Sequence, residues 1–243
     1  MTEHGRLVIL GASGGIGRVL TACAIGKGWE VIALDLPATL DACPPPAEVA
    51  SAAVDLHDPI SVETAFAAIG KIDGFVNLAG YMSQIQPLIN TSLDAFDDVV
   101  AGNLRGAFIA AKAALPHLAK NRGSIVNVAS GLGAHARPGF GPYSAAKAGM
   151  ISLTKTLALE AAPEIRVNAV GPSAIDTDFL SGGAGRERRA KAPINLDAIA
   201  DATPLKRIAT PEDVVGPILF LLSEEARFMT GQTLWVNGGA FMP

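Results

Sequence analysis

The chain of 243 residues is poor in several residue types at once, holding two cysteines, two tyrosines, two tryptophans and four histidines. Cys23 and Cys43 form neither a disulfide framework nor a ligand spacing, so they are read as free thiols in a reducing compartment. The histidines show no metal-ligand spacing, and no metal is expected. Charged residues make up only 17%, the formal net charge is -4, and no basic run is denser than GRERRAKA at 185–192. That cluster reads as a solvated loop, so no nucleic-acid partner is expected. No apolar stretch approaches the ~18 residues of a membrane span. The first strand-like run begins at Arg6 or Leu7, leaving no room for a signal peptide. These absences lead to the expectation of a cytoplasmic protein with no membrane partner.

What is plentiful is apolar: 49% of residues are hydrophobic, enough to bury a large core. Short β-branched runs alternate with longer helical patterns. The expected strands are 7–10, 31–34, 52–54, 74–78, 124–129, 166–170 and 233–236, and the expected helices lie near 15–27, 60–69, 94–119, 142–161 and 211–223. Several strands are continuously apolar, as parallel strands buried on both faces are. The alternation predicts an α/β fold, a Rossmann-type doubly wound, predominantly parallel seven-stranded sheet with helices on both faces. Residues 36–51 have weak helical periodicity, so the crossover there should be abbreviated. No linker or repeat divides the chain. It reads as a single dinucleotide-binding and catalytic domain over 1–243, with a flexible substrate loop near 173–204.

The first strand runs into GASGGIGRVL, which spaces Gly11, Gly15 and Gly17 ahead of a helix. Glycines permit the turn and let N–H groups approach a pyrophosphate at a helix N-terminus. A purely structural turn is the plain alternative. The second strand ends in Asp35, 18 residues after Gly17, near the ~20 expected of a carboxylate on the adenosine ribose hydroxyls. That carboxylate would repel a 2′-phosphate, and neither Gly14 nor Leu36 offers a cation, so NAD is favoured over NADP. Asp55 suits the adenine amino group or, equally simply, a helix cap. NLAG at 77–80 suits close approach to the cofactor's ribose or a strand-ending turn.

YSAAK at 143–147 places a phenol and an ammonium four residues apart, on one face of a helix. An unperturbed phenol titrates at about 10. A cation 4 Å away is worth about 4 kcal/mol at an effective dielectric of 20, or ~3 pKa units, enough to bring Tyr143 near neutrality. Desolvation would erode that shift, and a positively charged oxidised nicotinamide would reinforce it. Ser130 closes the fifth strand, where its hydroxyl can hold a substrate oxygen or merely end the strand. Asn103 interrupts an apolar helical pattern in which asparagine is a poor fit.

With these motifs together, the chain resembles the short-chain dehydrogenase/reductase family over essentially its whole length. The resemblance rests on GASGGIG at 11–17, NLAG at 77–80, Asn103, Ser130, YSAAK, GPSAIDT at 171–177 and TGQTLWVNGG at 230–239. The four-residue Tyr–Lys spacing is unlike the longer spacing of the related enoyl reductases. Leu10, Leu78, Ser173 and Asn237 depart from the family pattern, Ser173 where nicotinamide and substrate should meet. The resemblance implies a catalytic tetrad of Asn103, Ser130, Tyr143 and Lys147. Asn103 would hold, through its backbone, a water linking Lys147 to solvent; a kink without a proton role is the other reading. It also implies NAD contacts from Gly11, Ser13, Gly15, Ile16, Gly17, Asp35, Asp55, Leu56, Asn77, Ala79, Gly80, Pro172, Ile175 and Thr177, with Tyr143 and Lys147 shared.

The implied activity interconverts a secondary alcohol and its ketone by hydride transfer, with Tyr143 as acid/base, in a homotetramer. An NAD-binding scaffold without turnover, and an isomerase or dehydratase that uses NAD transiently, are the rival readings. The substrate pocket is expected from Met82 to Gln86, Ser130 to Leu132, Phe140, Ser173, Phe179 and Leu180, an apolar lining with few polar groups. His135 and Arg137 lie between Ser130 and Tyr143 and read as surface or subunit-contact residues, or as a reach toward an acidic substrate. Trp235 reads as packing in the last strand or at an interface.

Overall fold

A computed structural model describes residues 5–82, 84–119, 122–181, 183 and 194–242. Seven strands, β1 (Arg6–Leu10), β2 (Glu30–Asp35), β3 (Ala50–Ala53), β4 (Gly74–Asn77), β5 (Ser124–Val128), β6 (Arg166–Pro172) and β7 (Thr233–Val236), form one sheet. Its order is β3-β2-β1-β4-β5-β6-β7 and every pair is parallel. The helices are α1 (Gly15–Gly26), α2 (Pro37–Ala42), α3 (Pro59–Ile69), α4 (Leu93–Val100), α5 (Gly106–Leu118), α6 (Gly141–Glu160), α7 (Leu196–Ala202) and α8 (Pro211–Leu222). The expected fold class is the observed one.

Alternation along the strands fills both faces. Val8, Leu10, Ile32, Leu34, Phe75, Ile125 and Val167 pack with residues of α3, α5 and α6. Leu7, Ile9, Val31, Ala33, Val76, Val126 and Val170 pack with residues of α1 and α8. Burial on both faces explains the uninterrupted apolar runs. Strand order reverses between β1 and β4, and there the chain ends of both strands meet. Leu78 N–H donates to Leu10 O (2.8 Å), and Gly11 N–H donates to Leu34 O (2.7 Å). This switch point opens a crevice at the carboxyl edge.

Three local features differ from the sequence reading. The single helix expected near 94–119 is α4 and α5 joined by a π-helical turn, Ala101–Arg105. Asn103 lies in that turn, and its Nδ2 donates to Val99 O and to Tyr81 O, both at 2.9 Å; such amide-to-carbonyl bonding reshapes a helix. The crossover after β2 is abbreviated as expected but does hold the six-residue α2. The loop expected near 173–204 carries α7 at its far end, while residues 182 and 184–193, including GRERRAKA, lie outside the described residues. Among the described residues no helix is long and apolar enough to cross a membrane.

Phe66 of α3 is 1% exposed and meets Phe75 of β4 edge to face, centroids 5.6 Å apart. Removing such a ring leaves a cavity that a packed sheet fills poorly. Phe66→Ala should cost about 3–5 kcal/mol, read as a lower denaturant midpoint at unchanged slope.

Candidate active site

At the coenzyme end, three glycines shape the turn after β1. Gly11 sits at φ +86°, where an L side chain is strained. A Cβ on Gly17 would run into the carbonyls of Gly11 and Ala12, and one on Gly15 would come within 2.6 Å of Thr177 Cγ2. Backbone and the N-terminus of α1 therefore face the cleft bare, with Ile16 beside them. Ser13 is buried; its N–H donates to Asp35 Oδ2 (2.9 Å), while its Oγ has no partner among the described residues. Asp35 Oδ1 accepts from Leu36 N–H (2.8 Å). Burial raises the Asp35 pKa, and hydrogen bonds from Ser13, Leu36 and the Thr39 side chain oppose that rise. A carboxylate has about four lone-pair sites, and with Ser13, Leu36 and Thr39 bonded about one remains for a ribose hydroxyl.

Asp55 and Leu56 line the same end. Asp55 Oδ1 accepts from His57 N–H (2.9 Å), and the helix cap is Asp58, which accepts from Ile60 N–H (3.0 Å). The cap alternative for Asp55 thus belongs to its neighbour. Ala79 and Gly80 line the cleft, as do Pro172, Ile175 and Thr177. Asn77 and Ser13 do not reach the wall. Asn77 is 1% exposed and its Oδ1 accepts from Ala79 N–H (3.1 Å), shaping the turn from beneath.

At the catalytic end, Ser130, Tyr143 and Lys147 line one wall. Ser130 Oγ accepts from Leu132 N–H (3.2 Å) and also bonds the Tyr143 phenol. Lys147 Nζ donates to Val128 O (2.9 Å) and lies 5.6 Å from the centroid of the Tyr143 ring. Asn103 is fully buried, outside the cleft wall but next to Gly80. The sequence argument gave the ammonium's attraction the leading part; in the protein's own atoms burial is the larger effect. Burial pushes the Tyr143 phenol up, against the Ser130 hydrogen bond, and brings Lys147 down to about 7. Both side chains are out of water, so each loses hydration as a charge.

The cleft encloses about 590 Å³. Of the expected substrate wall, Met82, Ser130 to Leu132, Phe140, Ser173, Phe179 and Leu180 are present, and Gln84, Ile85 and Gln86 are not; Ser83 lies outside the described residues. His135 and Arg137, both exposed, do line it. The sequence reading missed α7, which contributes Ala198, Ile199 and Ala202, and the chain end, which contributes Ala240 and Phe241. It also missed Tyr81, whose Oη donates to Asp98 O (2.6 Å) and meets His57 Nε2 at 3.1 Å. No motif marks these positions; long-range packing brings them in. Trp235 packs over Gly171 and edge-on to Phe241 (5.2 Å). The bare glycine turn and the Asp35 carboxylate together fit a nicotinamide dinucleotide.

A family model described as "Enoyl-(Acyl carrier protein) reductase" matches residues 11–240. The chain is 39% identical over 180 residues to the 4-formylbenzenesulfonate dehydrogenase of Comamonas testosteroni, covering 73% of this chain and 70% of that one. It is 37% identical over 245 residues to the 3-oxoacyl-[acyl-carrier-protein] reductase of Thermotoga maritima, covering 96% of each. Among solved structures, the 3-ketoacyl-(acyl-carrier-protein) reductase of Brucella melitensis complexed with NADH superposes with a TM-score of 0.86. That pair is 30% identical, with 99% of each chain covered.

The Lys147 shift has a consequence for stability. Its folded pKa of about 7 lies below the unfolded value of 10.5, so between these limits the unfolded chain binds more protons and stability rises with pH. Without coenzyme, the denaturation midpoint should climb from pH 7 to about 9.5, and Lys147→Met should flatten that climb. A wild-type profile no steeper than the variant's would contradict the assignment.

Proposed function

Because the chain belongs to the short-chain dehydrogenase/reductase family of nicotinamide-dependent oxidoreductases, we propose that it interconverts a secondary alcohol and its ketone with NAD(H). What carries this reading is the meeting of Ser130, Tyr143 and Lys147 in the cleft that Asp35 and the glycine turn also line. In it the whole chain acts as one dinucleotide-binding and catalytic domain. Gly11, Gly15 and Gly17 hold the pyrophosphate, Asp35 the adenosine ribose, Asp55 and Leu56 the adenine, and Ala79, Gly80, Pro172, Ile175 and Thr177 the nicotinamide half. Bound there, nicotinamide would supply or accept the hydride, and its oxidised form would add positive charge to the cleft.

The protein's own part is to place and move a proton. Ser130 Oγ holds the substrate oxygen and stabilises charge developing on it. Tyr143 Oη gives a proton to that oxygen in reduction and takes it in oxidation. Lys147 Nζ stabilises the phenolate and donates to the nicotinamide ribose. Asn103 supports a proton path behind Gly80. A protein that merely held NAD would have no use for a buried phenol–amine pair, each member of which loses hydration there. The same reading makes the molecule a cytoplasmic homotetramer acting on small molecules, without nucleic-acid or membrane partners. Exposed Leu93, Phe96, Phe108 and Leu159 on α4, α5 and α6 offer apolar surface for subunit contact.

Coenzyme choice follows from charge. A 2′-phosphate would bring up to two negative charges against Asp35, and Arg18 turns its Nη1 instead to Cys43 Sγ (3.1 Å). Repulsion of about 2.7 kcal/mol suffices for a hundredfold preference, so kcat/KM should favour NAD(H) by at least that factor. Asp35→Ala should narrow the gap chiefly by weakening NAD. Equal efficiency with both coenzymes in the wild type would defeat this assignment.

Tyr143→Phe should abolish turnover of a secondary-alcohol panel, followed at 340 nm, while NAD affinity stays within a few-fold. Retention of more than about a tenth of the wild-type rate would remove Tyr143 as acid/base, since losing such a group typically costs 10²–10⁴-fold.

A further inference from the structure

The two ends of the cleft differ in charge. Among the described lining residues the carboxylates are Asp35, which ends β2, and Asp55, which follows β3, both at the coenzyme end. The segment between Ser130 and Tyr143 instead contributes His135 and Arg137, with no acid. No described acidic residue pairs with the Arg137 side chain. Its backbone is held nonetheless. Phe140 N–H donates to Arg137 O (3.4 Å), closing a turn through Gly139 at φ +89°, and Gln86 N–H donates to Gly139 O (3.2 Å).

A flat aromatic wall lines the same cleft. His135 stacks on Phe241 with planes 8° apart and centroids 5.7 Å apart. Phe241 is fixed in turn: Asn237 Nδ2 donates to its carbonyl (2.7 Å), Trp235 meets it edge-on, and a Cβ on Gly131 would come within 2.6 Å of its ring. A planar guanidinium with no acidic partner among the described residues, in a cleft that also holds a fixed aromatic wall, matches one kind of ligand. That ligand has an apolar body and a group able to accept two parallel N–H bonds.

Resting on the carbonyl-site reading above, we infer that the substrate carries a distal oxoanion (a carboxylate or sulfonate) bound by Arg137, its body lying against His135 and Phe241. Arg137 is then a specificity-determining residue, and its charge selects among ketones that Ser130 and Tyr143 would otherwise treat alike. A charge-assisted, bidentate contact retained from ground state to transition state acts mainly through KM.

The probes are 4-acetylbenzoate, 4-acetylbenzenesulfonate and the neutral methyl 4-acetylbenzoate, reduced by wild type, Arg137→Gln and Arg137→Met. In wild type both anions should exceed the ester in kcat/KM by about tenfold or more. Both variants should lose that preference through KM, with ester turnover and the KM for NADH unchanged. An ester reduced as well as the anions, or a preference surviving in the variants, overturns the inference while leaving the ketone reading intact. If none of the three is reduced, the ketone reading fails for this class, and binding alone decides. Calorimetric titration of 4-acetylbenzoate into wild type with NADH should then give an affinity that Arg137→Gln weakens about tenfold. Equal binding by the two proteins, or none, overturns the inference.

Discussion

Each central strand sends apolar side chains to both faces of the sheet, Val8 and Leu10 to one core and Leu7 and Ile9 to the other. Along the strands a polar side chain needs a buried partner, as Asn127 has in Thr154 Oγ1 and Asn168 in Met229 O, so groups left open for a ligand gather where the strands stop. On the carboxyl edge, Asp35, Asp55, Ala79, Ser130 and Pro172 follow or end successive strands and line one crevice. The crevice opens where the order reverses between β1 and β4, because the crossovers from these neighbours leave to opposite faces. The burial that stabilises the sheet thus also fixes where chemistry can occur.

The same burial sets the electrostatics. Tyr143 and Lys147 share a helix face as their spacing requires, yet each is moved toward its neutral form. Attraction between them acts over a few Å, while loss of hydration acts on each group separately. A lysine brought down to about 7 sits where a small added charge changes its protonation. Positive charge entering the cleft favours the phenolate, and negative charge favours the ammonium. Neutral pH is therefore where Lys147 responds most to what the cleft holds.

Sheet, strand order of appearance and helix positions were legible because both-face burial writes continuous apolar runs into the sequence. The boundaries moved by a residue or two, β3 starting at Ala50 rather than at 52. The glycine turn, Asp35, Ser130, Tyr143 and Lys147 were legible because each depends on local geometry: a turn without side chains, a strand end, one helical face. Phe241 and Ala198 were not, because they reach the cleft only through packing of segments distant in sequence. The π-helical turn was half legible: asparagine in an apolar helix signalled a break, but the amide's second carbonyl partner, Tyr81 O, lies 22 residues away. The pKa balance was illegible for a similar reason. Spacing gives the distance between two charges but not how much water surrounds them.

Gly80 shows how these levels join. Its φ of +153° lies in the region that favours glycine, and a Cβ there would strike Asn103 Oδ1 and come within 3.3 Å of Lys147 Nζ. Only a residue without a side chain leaves room for the amide and the amine to approach the same stretch of backbone. Asn103 Nδ2 is fully engaged, by Tyr81 O and Val99 O, which turns Oδ1 toward Gly80 with no partner among the described residues. A buried acceptor left unpaired costs about 1–3 kcal/mol. It stands close to a donor, Lys147 Nζ, that has protons beyond the one given to Val128 O. A bridging water would satisfy both groups, since each lacks only what a water supplies. The π-helical turn that breaks the regularity of α4–α5 aims an otherwise awkward amide toward the buried amine of Lys147.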